Sequence, residues 1–477
     1  MAPLAVERVH RPFWMLVLAL IALLLFWGLG DLPFLSVNEA RRAVTTREMQ
    51  ESGQWLLPSM NGQLYLSKPP LFYWLALLSA QLPGGLGEWS MRLPSALFAA
   101  ACCLALYDLA RRLGGPRLGL LAVTLLVANA GFSLFARRAE IEMTLTGLCL
   151  LAGYCAWRFL FVQGRRGWVW LSHGLLGAAL LAKGPVCLLW VIAPVLAYAL
   201  LSRDPRARAY LCDLPGWLLM LAVGGSWYLL VTLQEGWGIW GAILQEDILR
   251  KINGRGAEAW YAYLLYLGGD FFPFWLALLI RPRQLWRQIR EQRPLMLLAC
   301  FALVPLLVFS LFTEKHAKYL LPTYPAIALL LAWHWQALLE QARTRWQRWL
   351  LQGTPLLALA GFSLFYLMFE GKVFAHRVAA LPQLHAVAQA YPGVPAHALE
   401  APDMRLVYYL GRPVSTLPTQ TAPTVPALLF VQGALPPALQ ALAPCTLVRV
   451  EPYLKRKRAA TLLGLGPVCA GALQARH

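Results

Sequence analysis

Apolar residues fall in long runs along this chain, separated by short polar turns; the strict two-residue alternation of half-buried strands is rare. Runs of about 20 apolar residues, enough to cross a hydrocarbon core, lie at 13–31, 92–110, 117–136, 142–162, 167–183, 185–202, 214–233, 261–280, 294–313, 319–339 and 349–369. This pattern predicts a polytopic α-helical membrane protein with about 11 to 13 transmembrane helices. No small-residue cleavage site follows the first run, so it reads as a retained span with a cytoplasmic N-terminus. From about residue 371 the apolar runs shorten and Pro becomes frequent. There 404–410 reads as a helix, 427–431 as a strand, 435–442 as a helix and 446–450 as a strand. A transmembrane domain over 1–370 is therefore expected to precede a small α/β domain over 371–477.

Charge gives this array a direction. Arginines cluster in alternate loops: Arg8 and Arg11; Arg111, Arg112 and Arg117; Arg158, Arg165 and Arg166; Arg203, Arg206 and Arg208; Arg281, Arg283, Arg287, Arg290 and Arg293; Arg343, Arg345 and Arg348. The positive-inside rule makes these loops cytoplasmic. The opposite face then carries 36–91, the turn 137–142, Lys183-Gly184-Pro185, the loop 234–260, the segment 314–319 and the C-terminal tail. Composition agrees, since 59% of the 477 residues are hydrophobic and the mean hydropathy is +0.54. A net charge of +19 would suggest nucleic acid in a soluble domain, but here it reports orientation and favours anionic membrane lipids; no nucleic-acid partner is expected.

The first outer loop, 31–91, is the richest in chemistry. Ser36-Val37-Asn38-Glu39 fits a capping box, followed by a helix ending near Gly53. Lys68-Pro69-Pro70 opens a second helix, LFYWLALLSAQL, expected to lie along the membrane surface and to stop at Pro83-Gly84-Gly85, so that two surface helices wall a cavity. Glu39 is a candidate acid or base, with the capping box as its purely structural role. Asn38 beside it can orient a substrate but cannot act as a base. Arg41, Arg42 and Lys68 are candidates for binding phosphate, although a single surface cation is usually just solvated.

Beyond that loop, Glu142 begins a span directly after Arg137 and Arg138, where an ionisable group can simply snorkel. Lys183 interrupts a long apolar stretch at Leu181-Ala182-Lys183-Gly184-Pro185. A lone Lys deep in hydrocarbon costs about 3 kcal/mol or more, and the Gly-Pro break lets it sit at the outer interface. Glu246, Asp247, Arg250 and Lys251 suit helical i,i+4 pairing. Lys315 and Tyr319 are placed to close a cavity from the far side. The run Lys455-Arg456-Lys457-Arg458 suits a solvated face or lipid headgroups.

Other functions find little support. The sequence has no Walker loop, GxGxxG, HExxH or GxSxG, and no CxxC pair among its nine cysteines. No inverted repeat is evident and the charges gather on one face, which disfavours a lipid-linked substrate transporter or flippase. Seven cysteines lie in or beside apolar segments, whereas Cys445 and Cys469 fall in the tail, where they can pair if it is extracytoplasmic.

Five segments together resemble the membrane glycosyltransferases of the protein O-mannosyltransferase superfamily, most closely the bacterial branch containing 4-amino-4-deoxy-L-arabinose lipid A transferases. They are NEARRAVTTREMQESGQWLLPSMNGQLYLSKPPLFYW, ARRAEIEMTLTG, LAKGPV, WYAYLLYLGGDFFPFW and FSLFTEKHAKYLLPTYPAIALL, with YYLGRPV at 408–414 a weaker sixth. The resemblance implies a GT-C fold, with the first loop and the C-terminal domain periplasmic at a bacterial inner membrane. It implies an inverting transferase that moves a sugar from a polyprenyl-phosphate donor to lipid A or another envelope glycan, with a protein O-glycosyltransferase as the alternative. The family's acidic pair aligns with Asn38-Glu39, so its first Asp is Asn here. Lys68, Tyr65 and Tyr319 match its phosphate- and lipid-site positions, and Glu142 stands where its second acidic residue, usually Asp, occurs. No metal or other cofactor is expected from two scattered carboxylates.

Overall fold

The computed structural model describes residues 11–244, 258–418, 423–452 and 459–474. The chain divides into two compact units. One comprises Met1–Trp27, Ser67–Phe72 and Leu93–Leu367, and the other Gly28–Leu66, Tyr73–Arg92 and Met368–His477. The runs at 246–251 and 455–458 singled out above lie outside the described residues.

Among the described residues, six helices are long and apolar enough to cross a membrane: Glu88–Val127, Ile141–Phe161, Pro185–Ser202, Pro205–Glu235, Arg293–Ser310 and Arg345–Val378. Several predicted spans are interrupted. The first long helix kinks at Gly114 and Gly115. The run 117–136 does not continue as one helix: it stops at Val127, and Ala130–Ala136 starts afresh under an Asn129 cap whose side chain accepts from Phe132 N. The run 261–280 splits into Ala262–Asp270 and the 3-10 helix Phe274–Leu279; Pro273 between them has no N–H to continue the ladder. Likewise 319–339 begins as the 3-10 helix Ala317–Thr323 before turning α-helical at Tyr324–Gln341.

Close packing sets the depth of the helices that matter most below. Arg166–Lys183 and Leu214–Glu235 meet at Gly177 and Gly224. A Cβ on Gly177 would lie 2.9 Å from Met220 O, and one on Gly224 would lie 2.8 Å from Gly177 O. Small residues let backbones approach where lipid offers no hydrophobic drive.

In the second unit the capping box forms as the sequence predicts. Ser36 Oγ accepts from Glu39 N, Glu39 returns the bond to Ser36 N, and Gly53 ends the Val37–Ser52 helix in the left-handed region. A hairpin of β1 (Ser59–Met60) and β2 (Gln63–Leu64) follows. The next helix, Leu71–Ser79, is shorter than expected, because the chain leaves it at Ser79 rather than Pro83. Phe72, Tyr73, Ala76 and Leu77 make up its buried face, and Leu78 on the other side is exposed.

The C-terminal part contains β3 (Ala396–Ala398), β4 (Ser415–Thr416), β5 (Ala427–Val431), β6 (Cys445–Val450) and β7 (Ala460–Leu465) in the order β4-β3-β5-β7-β6. The β3 strand runs parallel to β4 and β5, whereas β7 is antiparallel to β5 and β6. Ala427, Leu429, Val431, Leu439, Leu463 and Leu465 form its core. The expected strand and helix at 427–431 and 404–410 are present. The helix expected over 435–442 is only the single turn Pro437–Gln440, bounded by Pro436. Cys445 and Cys469 are joined by a disulfide with Cα atoms 5.6 Å apart, within the usual range.

The YYLGRPV segment has a clear task in this unit. Tyr408 O accepts from Arg47 Nη1 at 2.8 Å, Tyr409 Oη accepts from Phe34 N at 2.7 Å and donates to Glu88. Asn61 makes a reciprocal pair with the Val414 backbone at 2.8 and 2.7 Å. It is the dock for the first outer loop.

Candidate functional site

In the membrane unit, two helix ends of opposite polarity bring the candidate groups together. Glu142 lies in the first turn of Ile141–Phe161, and Lys183 is the last residue of Arg166–Lys183. Each charge complements the dipole of its own helix. The two helices are joined by a short loop and pack antiparallel, so both ends reach the same level. Lys183 Nζ lies 3.2 Å from Glu142 Oε1. The helix after Lys183 is terminated by Gly184 at φ +83°, a conformation that an L side chain resists, so the lysine is held at a fixed point in the chain.

Lys318 completes a chain of alternating charge. Its Nζ is 3.2 Å from Glu142 Oε1 and 3.4 Å from Glu140 Oε2. The Lys183 ammonium stands 4.9 Å from the centre of the Tyr319 ring, in cation–π range. Lys68 also acts electrostatically on Lys183; its own ammonium donates to Ser67 O at 2.8 Å. Both glutamates are almost fully buried. Three lysines against two glutamates leave a positive excess among these five groups, in a setting of low dielectric where charge acts strongly. That arrangement suits an anion.

The second unit has its own charged cluster. Glu39 is fully buried, and Arg92, 2% exposed, pairs with its Oε1 at 2.9 Å. Glu39 Oε2 accepts from Leu35 N at 3.1 Å, and Arg92 also donates to Leu29 O, Leu32 O and Pro33 O. Both oxygens of Glu39 are thus engaged in fixing the loop that enters Val37–Ser52. Asn38, one residue earlier, is half-buried.

The neighbouring arginines differ in kind. Arg42 is buried against two phenols, Tyr73 Oη at 3.2 Å and Tyr65 Oη at 3.5 Å. Burial pushes the Tyr73 hydroxyl up to about 12, so it meets the guanidinium as a neutral phenol. Arg41 is exposed.

Sequence reasoning found Lys68, Glu142, Lys183 and Tyr319, which the fold gathers in one unit, and Asn38, Glu39, Arg41, Arg42 and Tyr65, which lie in the other. It placed Lys315 at the cavity, yet this ammonium is 3% exposed and committed to Phe312 O and Glu258 O. Lys318, three residues on, is the one that reaches the glutamates. Glu140, Lys318 and Arg92 were missed as site residues, although the first two stand inside quoted segments and Arg92 is a charge at the start of a predicted span. Among the described residues no three His, Cys, Asp or Glu side chains converge as a metal site requires.

Comparison with known proteins defines the class first. ArnT from Cupriavidus metallidurans, solved with undecaprenyl phosphate bound, superposes with a TM-score of 0.79 at 20% identity, covering 96% of this chain and 99% of that one. The fold is therefore of the GT-C type, and the protein is a multi-pass membrane protein. A family profile described as dolichyl-phosphate-mannose-protein mannosyltransferase matches residues 67–228, and one described as the Alg9-like mannosyltransferase family matches 253–412.

The undecaprenyl phosphate-alpha-4-amino-4-deoxy-L-arabinose arabinosyl transferase of Pseudomonas paraeruginosa is 30% identical over 384 residues, 76% of this chain and 67% of that protein. Its counterpart in Pseudomonas aeruginosa strain LESB58 is 31% identical over 359 residues, 71% of this chain and 62% of that protein. The chain belongs to this arabinosyl transferase family. It spans just under two thirds of the length of several relatives that it matches.

Proposed function

We propose that the protein is an inverting glycosyltransferase that moves a sugar from a polyprenyl-phosphate donor to a phosphate of lipid A, at the periplasmic face of a bacterial inner membrane. The observation that carries this reading is the lysine-rich cluster of Lys68, Lys183 and Lys318 around Glu140 and Glu142. In the reaction the acceptor oxygen attacks the anomeric carbon from the face opposite the phosphate. The bond between that carbon and the phosphate oxygen breaks, and the polyprenyl phosphate leaves as a dianion. Fixed cations aimed at the developing charge are the largest single means of lowering such a barrier. Lys68 supplies a partly exposed point charge, while Lys183 and Lys318 are held by the glutamates. Tyr319 orients Lys183 through its ring. The neighbour solved with undecaprenyl phosphate supports this donor class.

The carboxylates favour a phosphate acceptor. Glu39 is tied to Arg92 and to the helix start, Glu142 to Lys183 and Lys318, and Glu140 to Lys318. A carboxylate beside a cation is a poor base, and Asn38 is none. An acceptor phosphate is already ionised near neutral pH and needs no base; a protein hydroxyl, the alternative acceptor, needs one. Arg41, exposed in its own unit, is assigned to binding phosphate there, and Arg42 with Tyr65 to holding the loop.

In this reading an odd number of crossings, eleven by the apolar runs, puts the first loop and the 371–477 domain on the same, periplasmic side. The arginine-rich opposite loops and the Cys445–Cys469 disulfide, suited to an oxidising compartment, support that placement. The reading calls for no metal, because lysines supply the positive field. Purified protein given a polyprenyl-phosphate aminopentose is expected to modify lipid A and to lose that activity on phosphatase-treated lipid A. Equal transfer to the dephosphorylated acceptor would move the acceptor to a hydroxyl.

A further inference from the structure

The Pro282–Glu291 helix, PRQLWRQIRE, lies away from the site and is used by none of the chemistry above. Its inner side is pinned to the bundle. Trp333 Nε1 donates to Gln288 Oε1 at 3.1 Å, His334 Nε2 donates to Ile280 O at 2.8 Å just before the helix, and Arg281 donates to Gln341 Oε1. Leu285 and Ile289 are half-buried on that side.

The outer side is different. Arg283, Trp286, Arg287 and Arg290 follow the spacing that puts residues on one helical face, and all four are exposed, Trp286 at 59%. Glu291 is the only acid on the helix, and its 3.5 Å pair with Arg287 is solvent-exposed, hence weak. Arg281, Pro282, Arg283, Gln284 and Arg287 border a cavity of about 600 Å³. A tryptophan set among arginines on the outward face of a pinned amphipathic helix is the chemistry of a membrane interface: the indole seats at headgroup level and the guanidiniums meet phosphate bidentately.

We propose that this face is a docking surface for anionic phospholipid headgroups, with Arg283, Arg287 and Arg290 meeting the headgroup phosphate and Trp286 anchoring the helix in the interface. The occupant is fixed by charge complementarity: three exposed arginines with a single weakly paired acid attract an anionic headgroup, and a zwitterionic one gains little. The surface is separate from the proposed transferase site and stands whether or not that reading holds.

The test is native mass spectrometry of the full chain in mild detergent with equimolar phosphatidylglycerol and phosphatidylethanolamine. In the triple variant R283Q/R287Q/R290Q, retained phosphatidylglycerol is expected to fall by about fivefold per arginine lost, with phosphatidylethanolamine unchanged. A control variant, Arg449→Gln, removes an exposed arginine of the C-terminal sheet and is expected to keep its phosphatidylglycerol. Trp286→Ala, a single surface change, is expected to weaken retention of both lipids, which checks the anchor should the triple variant fold poorly. Wild-type retention by the triple variant would overturn the proposal, as would an equal loss in the control or no effect of Trp286→Ala.

Discussion

Lys68→Ala is expected to lower sugar transfer by at least about 10²-fold while leaving thermal unfolding unchanged. The magnitude is that of removing one preorganised donor from a developing oxyanion. The selectivity follows from position: Lys68 is partly exposed, and truncating a side chain that is not fully buried costs little stability. Lys183→Ala is different, because it removes the 3.2 Å partner of the buried Glu142. The clean measurement is therefore turnover of the Lys68 variant in purified form, with donor binding measured separately. Unchanged turnover would remove Lys68 from the site.

Arg92→Met is expected to destabilise the protein by about 3–5 kcal/mol, the range for breaking one partner of a buried ion pair. The change leaves the Glu39 carboxylate charged in a fully buried position and takes hydrogen bonds from three backbone carbonyls at 29–33. Glu39→Gln should behave similarly but more mildly, since an amide oxygen can still accept from the helix start. Unfolding followed by circular dichroism would show this as an earlier transition. Normal unfolding with lost transfer would instead give Glu39 a direct part in the chemistry.

The contrast between these two residues shows where the sequence was readable. The capping box and Gly53 are local signals, and they fold as read. Glu39 looked equally suited to catalysis and to capping, because nothing near it in sequence announces its partner. Arg92 is 53 residues away and sits at the edge of a predicted span, where a charge ordinarily means a membrane boundary. The long-range pair with Arg92 is what the local sequence does not show.

A similar limit applies to Lys315 and Lys318. Both stand in EKHAKY, but only the 3-10 turn beginning at Ala317 settles which ammonium faces the glutamates. The broken spans were half-visible: Asn129, Pro273 and Pro322 marked the breaks, yet an apolar run continues through them, and hydropathy counts the run. Strands β3, β4 and β7 were missed for another reason. The first two are only three and two residues long and depend on neighbours for their pairing, while β7 follows a charged run that hides its apolar start. Where the chain carried a complete local pattern, as at 404–410 and 427–431, the element appeared with the expected bounds.

The most direct measurement is mass spectrometry of lipid A from cells with and without this protein. Loss of a pentosamine-sized mass from lipid A in the deletion, restored by the wild-type chain and not by Lys68→Ala, is the predicted result. Unchanged lipid A in the deletion, with a sugar missing from protein or polysaccharide, would contradict the proposed acceptor and require a base that the paired glutamates do not provide.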